Sequence, residues 1–498
     1  DAASISQGND FYRLYGECLA AARPMLAPFT YLENRILPYV FGYASNEDIY
    51  SGLEKAKNTH VDRIVADACL RFFSMQRRAQ YILSTANNDL YMKKYSAIAK
   101  AEPNPATSMR LPQKRKTVIF EVNSLDKGGL EQAVYNLVHR FDHLSFRPIL
   151  VCTQKGGHLA RRAENNGMDL TYIHGRTDTY RELCRTENVP AINLSMSDYG
   201  LEVADDLCIP VISTIHNAFV WFEKKDRDRF KSQDPAVKQY IAVSNSVATY
   251  LQERMDISPE KVCVIPNGLD TVQLELAGKQ DLKTDRKHLG LHEHDFVFLN
   301  VASIDGRKNQ NLLIAALKHI TKQFSHVKVV CAGNVMDPKY YKYLLAQVEE
   351  LGLQGRIIFP GYIYNPLDLY RIADAFVLPS LVEGWSVAMT EALYFGLPMV
   401  LTDVGGAREV LYKEGIGILV SNSFGEISQL TGENLGQYVY DQNPSNLEEL
   451  ALGMQDMVVR YDYWHSFKPL RKQMVMNRYT IDEQVKRTKE VILENLGF

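Results

Sequence analysis

Between residues 117 and 420 the chain alternates two patterns. Short, mainly apolar runs fall at 118–122, 148–152, 170–173, 191–194, 211–215, 240–243 and 262–265. A second series follows at 296–301, 327–331, 356–359, 375–378, 399–401 and 417–420. Runs of this length without polar alternation are what strands buried on both faces require. Several are separated by stretches of helical period, the clearest after Gly128-Gly129, where Leu130, Ala133, Val134, Leu137 and Val138 form one apolar stripe. Strand and helix in alternation predict a doubly wound, largely parallel sheet. Two series in succession predict two Rossmann-like α/β domains, with ligands at the C-terminal ends of the strands and a site in the cleft between them.

The flanks read differently. Residues 1–108 show no strand-like alternation, and Val61, Ile64, Val65, Ala68, Cys69, Phe72 and Met75 recur at helical spacing behind Thr59 and Asp62, so this region is expected to be helical. Ser45 is a second N-cap candidate. Residues 109–116 complete a proline-containing basic stretch and read as a linker. The expected division is then 117–280 for the first α/β domain, 281–465 for the second, and 466–498 for terminal helices.

A chain of 498 residues is long for a single core, and 46% hydrophobic with 23% charged residues is the make-up of a globular protein. The net charge of -3 argues against a generally basic nucleic-acid binder. Seven scattered cysteines, with no C-x-x-C pair, favour reduced thiols and a cytoplasmic setting over disulfides or a zinc site. Asp226-Arg227-Asp228 lies in a mixed charge run and reads as a solvated face, so no metal site is expected.

The densest chemistry lies in residues 378–403, LPSLVEGWSVAMTEALYFGLPMVLTD. A buried strand leads through a loop into a short helix that stops at Gly396 and Pro398 before the next strand. Glu383 stands just ahead of the first turn and Glu391 eight residues on, so two carboxylates bracket one helix N-terminus. The amides near Gly384, Trp385, Ser386 and Val387 are placed to hold a phosphate, and Gly384 lets a ligand approach the backbone. Carboxylates on either side would accept hydrogen bonds from hydroxyl groups. A nucleotide sugar presents that combination.

This segment, with Thr402-Asp403-Val404-Gly405-Gly406 after it, resembles the E-x7-E segment of the family 4 retaining glycosyltransferases, which have the two-domain GT-B fold. Further segments resemble the family in the same order across about residues 117–425: Gly128-Gly129-Leu130-Glu131, Ser213-Thr214-Ile215-His216-Asn217, Asn267-Gly268-Leu269-Asp270, the loop at 300–310, and Cys331-Ala332-Gly333-Asn334. The resemblance implies that Gly128 and Gly129 face the donor phosphates and acceptor, that His216 sits over the donor sugar, that Lys308 serves the diphosphate, and that Gly333 passes close to the nucleotide. It assigns Glu383 to the sugar hydroxyls and Glu391 to the ribose. At the family's arginine position stands Ser303, so either Arg307 substitutes from a shifted loop or the diphosphate depends on Lys308 and the helix amides.

By this resemblance the chain is a metal-independent retaining hexosyltransferase without a cofactor, using a nucleotide-diphosphate sugar and a glycan or lipid-linked acceptor, in bacterial surface glycan assembly. The terminal helices would cross back to the first domain. Residues 1–116 offer a surface for a membrane at its inner face or for a partner protein. The chain starts at Asp1, which fits a processed or excised piece. Two other readings stay open: a non-catalytic glycan-binding or scaffolding protein on the same fold, and a glycan phosphorylase or nucleotide-sugar epimerase.

Overall fold

A computed structural model describes residues 115–126, 128–143, 145–278, 282–363 and 366–496, and two short strands, Ala3–Ser4 and Met25–Leu26. Those two strands pair in parallel where helix was expected. The capping candidates Ser45, Thr59 and Asp62 lie outside the described residues, as does almost all of the linker.

Every apolar run became a strand. The first series forms β1 (Lys116–Leu125), β2 (Phe146–Gly156), β3 (Asp169–Tyr172), β4 (Ala191–Ser195), β5 (Val211–Ile215), β6 (Val237–Ala242) and β7 (Val262–Val264). The second forms β8 (Phe296–Val301), β9 (Val327–Ala332), β10 (Ile357–Gly361), β11 (Ala375–Leu378), β12 (Met399–Thr402) and β13 (Gly417–Val420). The sheets run β3-β2-β1-β4-β5-β6-β7 and β10-β9-β8-β11-β12-β13. Each strand order therefore reverses once, between β1 and β4 and between β8 and β11. Both junctions are parallel, Val118 lying beside Ala191 and Phe298 beside Ala375. Crevices at such reversals open at the carboxyl ends of the strands.

The helices that concern the site are α1 (Gly129–Arg140), α2 (Asn245–Arg254), α3 (Gln310–Thr321), α4 (Leu367–Ile372), α5 (Val387–Phe395), α6 (Ala407–Val410), α7 (Lys468–Arg478) and α8 (Ile481–Asn495). The apolar stripe of α1 is buried through Ala133, Val134, Leu137 and Val138. Ser386 caps α5 by accepting the Met389 amide at 3.3 Å, and Gly396 closes it in the left-handed conformation, φ 77°. A side chain at 396 would also collide with Lys468 of α7.

The end of the chain returns to the first lobe, where α8 packs against α1 and β6. Leu269 exchanges backbone hydrogen bonds with Tyr479 and Ile481, and the Gly268 amide donates to Gln484 Oε1 at 2.7 Å. A Cβ at Gly268 would lie 2.5 Å from the Thr480 carbonyl oxygen, so this turn needs glycine because another segment crosses it. Beside it, buried Arg140 grips Asp270 with two hydrogen bonds of 2.9 and 2.7 Å.

Candidate functional site

The loop from β11 into α5 carries the centre of the site. Glu383 is buried, and its Oε1 accepts 2.8 Å hydrogen bonds from Lys308 Nζ and from Ser380 Oγ. Ser380 is held in turn by Thr402, whose hydroxyl donates to the Ser380 carbonyl at 2.6 Å. Lys308 ends a 3-10 turn, Gly306–Lys308, just before α3. A lysine from the end of β8 and a glutamate from the end of β11 thus meet at the reversal of the second sheet.

Gly384 adjoins the first lobe. A Cβ there would lie 1.9 Å from the His216 carbonyl oxygen and 3.1 Å from Asn217 Cα. The segment after β5 therefore presses on the entry to α5, and the backbone contact alone excludes any side chain at 384. Below the loop, Gly405, at φ +56°, faces Gly384 and Glu383, and a Cβ on Gly406 would strike the Trp385 ring at 2.2 Å. Trp385 is buried, donates from Nε1 to Thr390 Oγ1 at 3.0 Å, and lies 5.0 Å from the Tyr479 ring. Its ring belongs to the core, and what position 385 offers a ligand is its backbone amide. Ser386 likewise spends its hydroxyl on the Met389 amide.

His216 is buried with Nε2 3.3 Å from Ser195 Oγ, while Nδ1 has no partner. Burial lowers its pKa to about 4, so the imidazole is neutral at pH 7. Glu391 is partly buried and accepts a 2.8 Å hydrogen bond from Tyr370 on α4. Burial raises its pKa to about 7, against the stabilising donation from Tyr370.

Arg307 pairs with Asp305. Its Nε donates to Asp305 at 3.0 Å and its guanidinium lies 5.7 Å from the centre of the Trp221 ring. Ser303 also donates to Asp305, at 2.6 Å. Burial would raise the Asp305 pKa, but Arg307 and Ser303 outweigh it and hold the carboxyl below its usual range. Gly333 packs against the neighbouring strand end, its would-be Cβ 1.8 Å from the Ala302 carbonyl oxygen. Gly128 precedes α1 with the Glu131 side chain folded over it, and Gly129 has open space around it.

The structure therefore brings together Lys308, Glu383, Gly384 and the His216 backbone, with Glu391 further along α5. Ser380, Tyr370 and Trp221 join them without any sequence signal, since each is an ordinary residue of a strand end, a connecting helix or a loop. Among the described residues no group of three His, Cys, Asp or Glu side chains converges to hold a metal ion. Asp226 spends its carboxylate on capping the exposed helix Lys224–Gln233. No described helix is long and apolar enough to cross a membrane.

Comparison with known proteins agrees with this arrangement. Residues 127–273 match Glycosyltransferase Family 4 and residues 281–430 match Glycosyl transferases group 1, one on each sheet. A glycosyltransferase from Rickettsia africae superposes with a TM-score of 0.65 at 17% identity, covering 77% of this chain and 99% of its own. Anabaena HepE in complex with UDP-glucose does so at 0.61 and 17%, covering 76% and 99%. Two Rossmann-like lobes with these neighbours define a GT-B glycosyltransferase fold. The chain belongs to glycosyltransferase family 4.

Among curated relatives, an Escherichia coli UDP-Gal:alpha-D-GlcNAc-diphosphoundecaprenol alpha-1,3-galactosyltransferase is 32% identical over 185 residues, 36% of this chain and 46% of that protein. A glycosyltransferase of Methanocaldococcus jannaschii is 25% identical over 256 residues, 51% and 59% respectively. The chain thus spans about half the length of these relatives.

Proposed function

We propose that this protein is a retaining glycosyltransferase that moves a sugar from a nucleoside-diphosphate sugar to a hydroxyl of a glycan or lipid-linked acceptor, in the assembly of a bacterial surface glycan. The observation that carries the reading is the Lys308–Glu383–Ser380 cluster at the N-terminus of α5. In this reading the diphosphate takes the α5 amides at Gly384, Trp385, Ser386 and Val387, with Lys308 against it. Those preorganised positive groups stabilise the negative charge that grows as the leaving bond breaks.

Glu383 then turns from Lys308 to the donor-sugar hydroxyls, and Glu391 accepts from the ribose. His216, neutral at pH 7, orients a sugar hydroxyl through its unpartnered Nδ1. The bond from the anomeric carbon to the phosphate oxygen breaks, the acceptor oxygen bonds to the same face of that carbon, and the acceptor proton passes to the departing diphosphate. Lysine and amides supply the charge that a cation would otherwise supply, so the reaction is metal-independent and needs no cofactor. Lipid-linked acceptors are suggested by the Escherichia coli relative and by a Campylobacter jejuni relative whose name also specifies a diphospho-undecaprenol acceptor.

The test is a melting-temperature screen of UDP, GDP, ADP and CMP with their common sugars. A ligand at one hundred times its Kd stabilises the folded state by about 2.7 kcal/mol. One nucleotide should raise the melting point of the wild type and fail to raise that of Glu391→Ala. One observation favours a second reading, a non-catalytic glycan-binding protein: Ser303 stands at the family's arginine position, with Arg307 engaged by Asp305. Absence of a shift with every nucleotide at millimolar concentration would select it.

A further inference from the structure

The hydrogen bond between α4 and α5 links a tightly packed phenol to a carboxylate on a longer side chain. Tyr370 is 1% exposed. Its ring lies parallel to Phe395, centroids 5.6 Å apart with 5° between the planes, and 6.3 Å from Phe376. The hydroxyl is therefore a fixed point. Glu391 has a flexible side chain, and the 2.8 Å bond to its Oε2 selects one rotamer and leaves Oε1 for another partner.

We propose that Tyr370 is a positioning residue for donor binding, setting the rotamer and the charge of Glu391 so that its carboxylate can accept the two hydroxyls of a nucleotide's ribose. This rests on the donor-site reading above. A carboxylate has lone pairs for Tyr370 and a vicinal diol together, whereas the protonated acid has given one oxygen to its own proton. Charge is the point in question, because burial has pushed Glu391 up to about 7 and the phenol opposes that rise.

The surroundings offer little else to hold the charge. On α4, Asp368 and Arg371 approach each other at 3.7 Å. From α7, Arg471 spends its guanidinium on the carbonyls of Ile416, Gly396 and Trp464, Lys472 lies over the Tyr394 ring, and Lys468 packs at Gly396. On the next helix in contact with α4, Glu275 acts on Tyr394. Strand β11, Ala-Phe-Val-Leu, carries no ionisable side chain.

The experiment is calorimetric titration of the full chain with UDP between pH 6 and 9, on the wild type and Tyr370→Phe, repeated with 2′,3′-dideoxy-UDP. Phenylalanine keeps the stack on Phe395 and removes only the donor. With the Glu391 pKa about one unit higher, UDP affinity at pH 7 should fall about fivefold, and its acid limb should move up by about one pH unit. The penalty should vanish with the dideoxy nucleotide, and Tyr370→Phe should add nothing in a Glu391→Gln background. Equal penalties on both nucleotides, or an unmoved pH profile, would mean that Tyr370 only packs. If wild type binds UDP through Glu391 and Tyr370→Phe behaves like it, this proposal alone falls. If wild type binds none of UDP, GDP and ADP, the donor-site reading falls and takes this one with it.

Discussion

Replacing Gly384 by alanine separates two reasons for a glycine at the entrance to α5. One is that a ligand must approach the backbone; the other is that the protein does so already. The added Cβ would stand 1.9 Å from the His216 carbonyl oxygen, with the His216 carbonyl carbon at 2.6 Å. An unstrained carbon–oxygen contact needs about 3.4 Å, so the two segments would have to part by about 1.5 Å. Both obstacles are backbone, which cannot rotate aside. Overpacking of this kind costs about 1–3 kcal/mol. Misplacement of a catalytic group by about 1 Å costs about a hundredfold in rate. Gly384→Ala should therefore melt a few degrees below wild type and lose about two orders of magnitude in turnover. The control is Gly436→Ala, on the helix Gly432–Val439, where nothing lies within 4 Å of an added Cβ and a small gain in stability is expected. The assay is thermal melting without ligand, followed by nucleotide affinity and sugar transfer. An unchanged melting temperature with lost nucleotide binding would refute the contact argument and leave the ligand as the sole reason for glycine. Wild-type behaviour in all three would refute both.

The paired cations should separate cleanly. Lys308→Ala removes the partner of Glu383 and should lower turnover about a hundredfold or more, whereas Arg307→Ala, already engaged by Asp305 and Trp221, should change nucleotide affinity less than about threefold; a larger loss for Arg307 in a titration would assign it to the diphosphate. Glu391→Gln should shrink the nucleotide-dependent rise in melting temperature yet stabilise the apoprotein at neutral pH. Its folded pKa is raised from 4.5 to about 7, so the wild-type carboxyl favours folding below pH 4.5 and loses that advantage as pH climbs to 7. The melting-temperature gap between variant and wild type should widen across that window and then hold constant; a gap independent of pH would contradict the assignment. For His216, lowered to about 4, no protonation step of its own should appear in a transfer-rate profile between pH 5.5 and 7 at saturating donor, and an inflection near the usual 6.5 that is present in Glu391→Gln and disappears in His216→Ala would count against its burial.

The frame of the molecule was open to inspection in the pattern of apolar runs because a parallel strand buried on both faces has no choice but to be apolar. The ends of β1 and β2 were not, since both strands run on through polar residues. Asn123 and Thr153 bond to each other at 2.9 Å, and Asn123 also donates to the Met196 carbonyl. Side chains that satisfy one another across a sheet look like loop in a linear reading. At the site, spacing brought out Glu383 and Glu391, because eight residues across a helix start is a local relation. Tyr370 precedes Glu391 by 21 residues and meets it only through the packing of α4 on α5. Ring orientation is equally hidden: Trp385 sits in the loop beside the carboxylate, and only the fold turns its indole into the core against Tyr479. The partner of Gly384 is invisible for the same reason, since it comes from another lobe.

The return of α8 to α1 has a bearing on how the chain is made. Ala133, Val134, Leu137 and Val138 are synthesised well ahead of α8, the helix that packs on α1. At ribosomal speed the interval of about 340 residues lasts roughly 20 to 70 seconds, during which α1 and β6 lack the contacts that α8 supplies. The Asn267-Gly268 turn and the Arg140–Asp270 clasp form a cradle prepared in advance for Thr480 and Gln484. The first lobe is therefore expected to complete its packing only after the second has been synthesised, when α8 arrives.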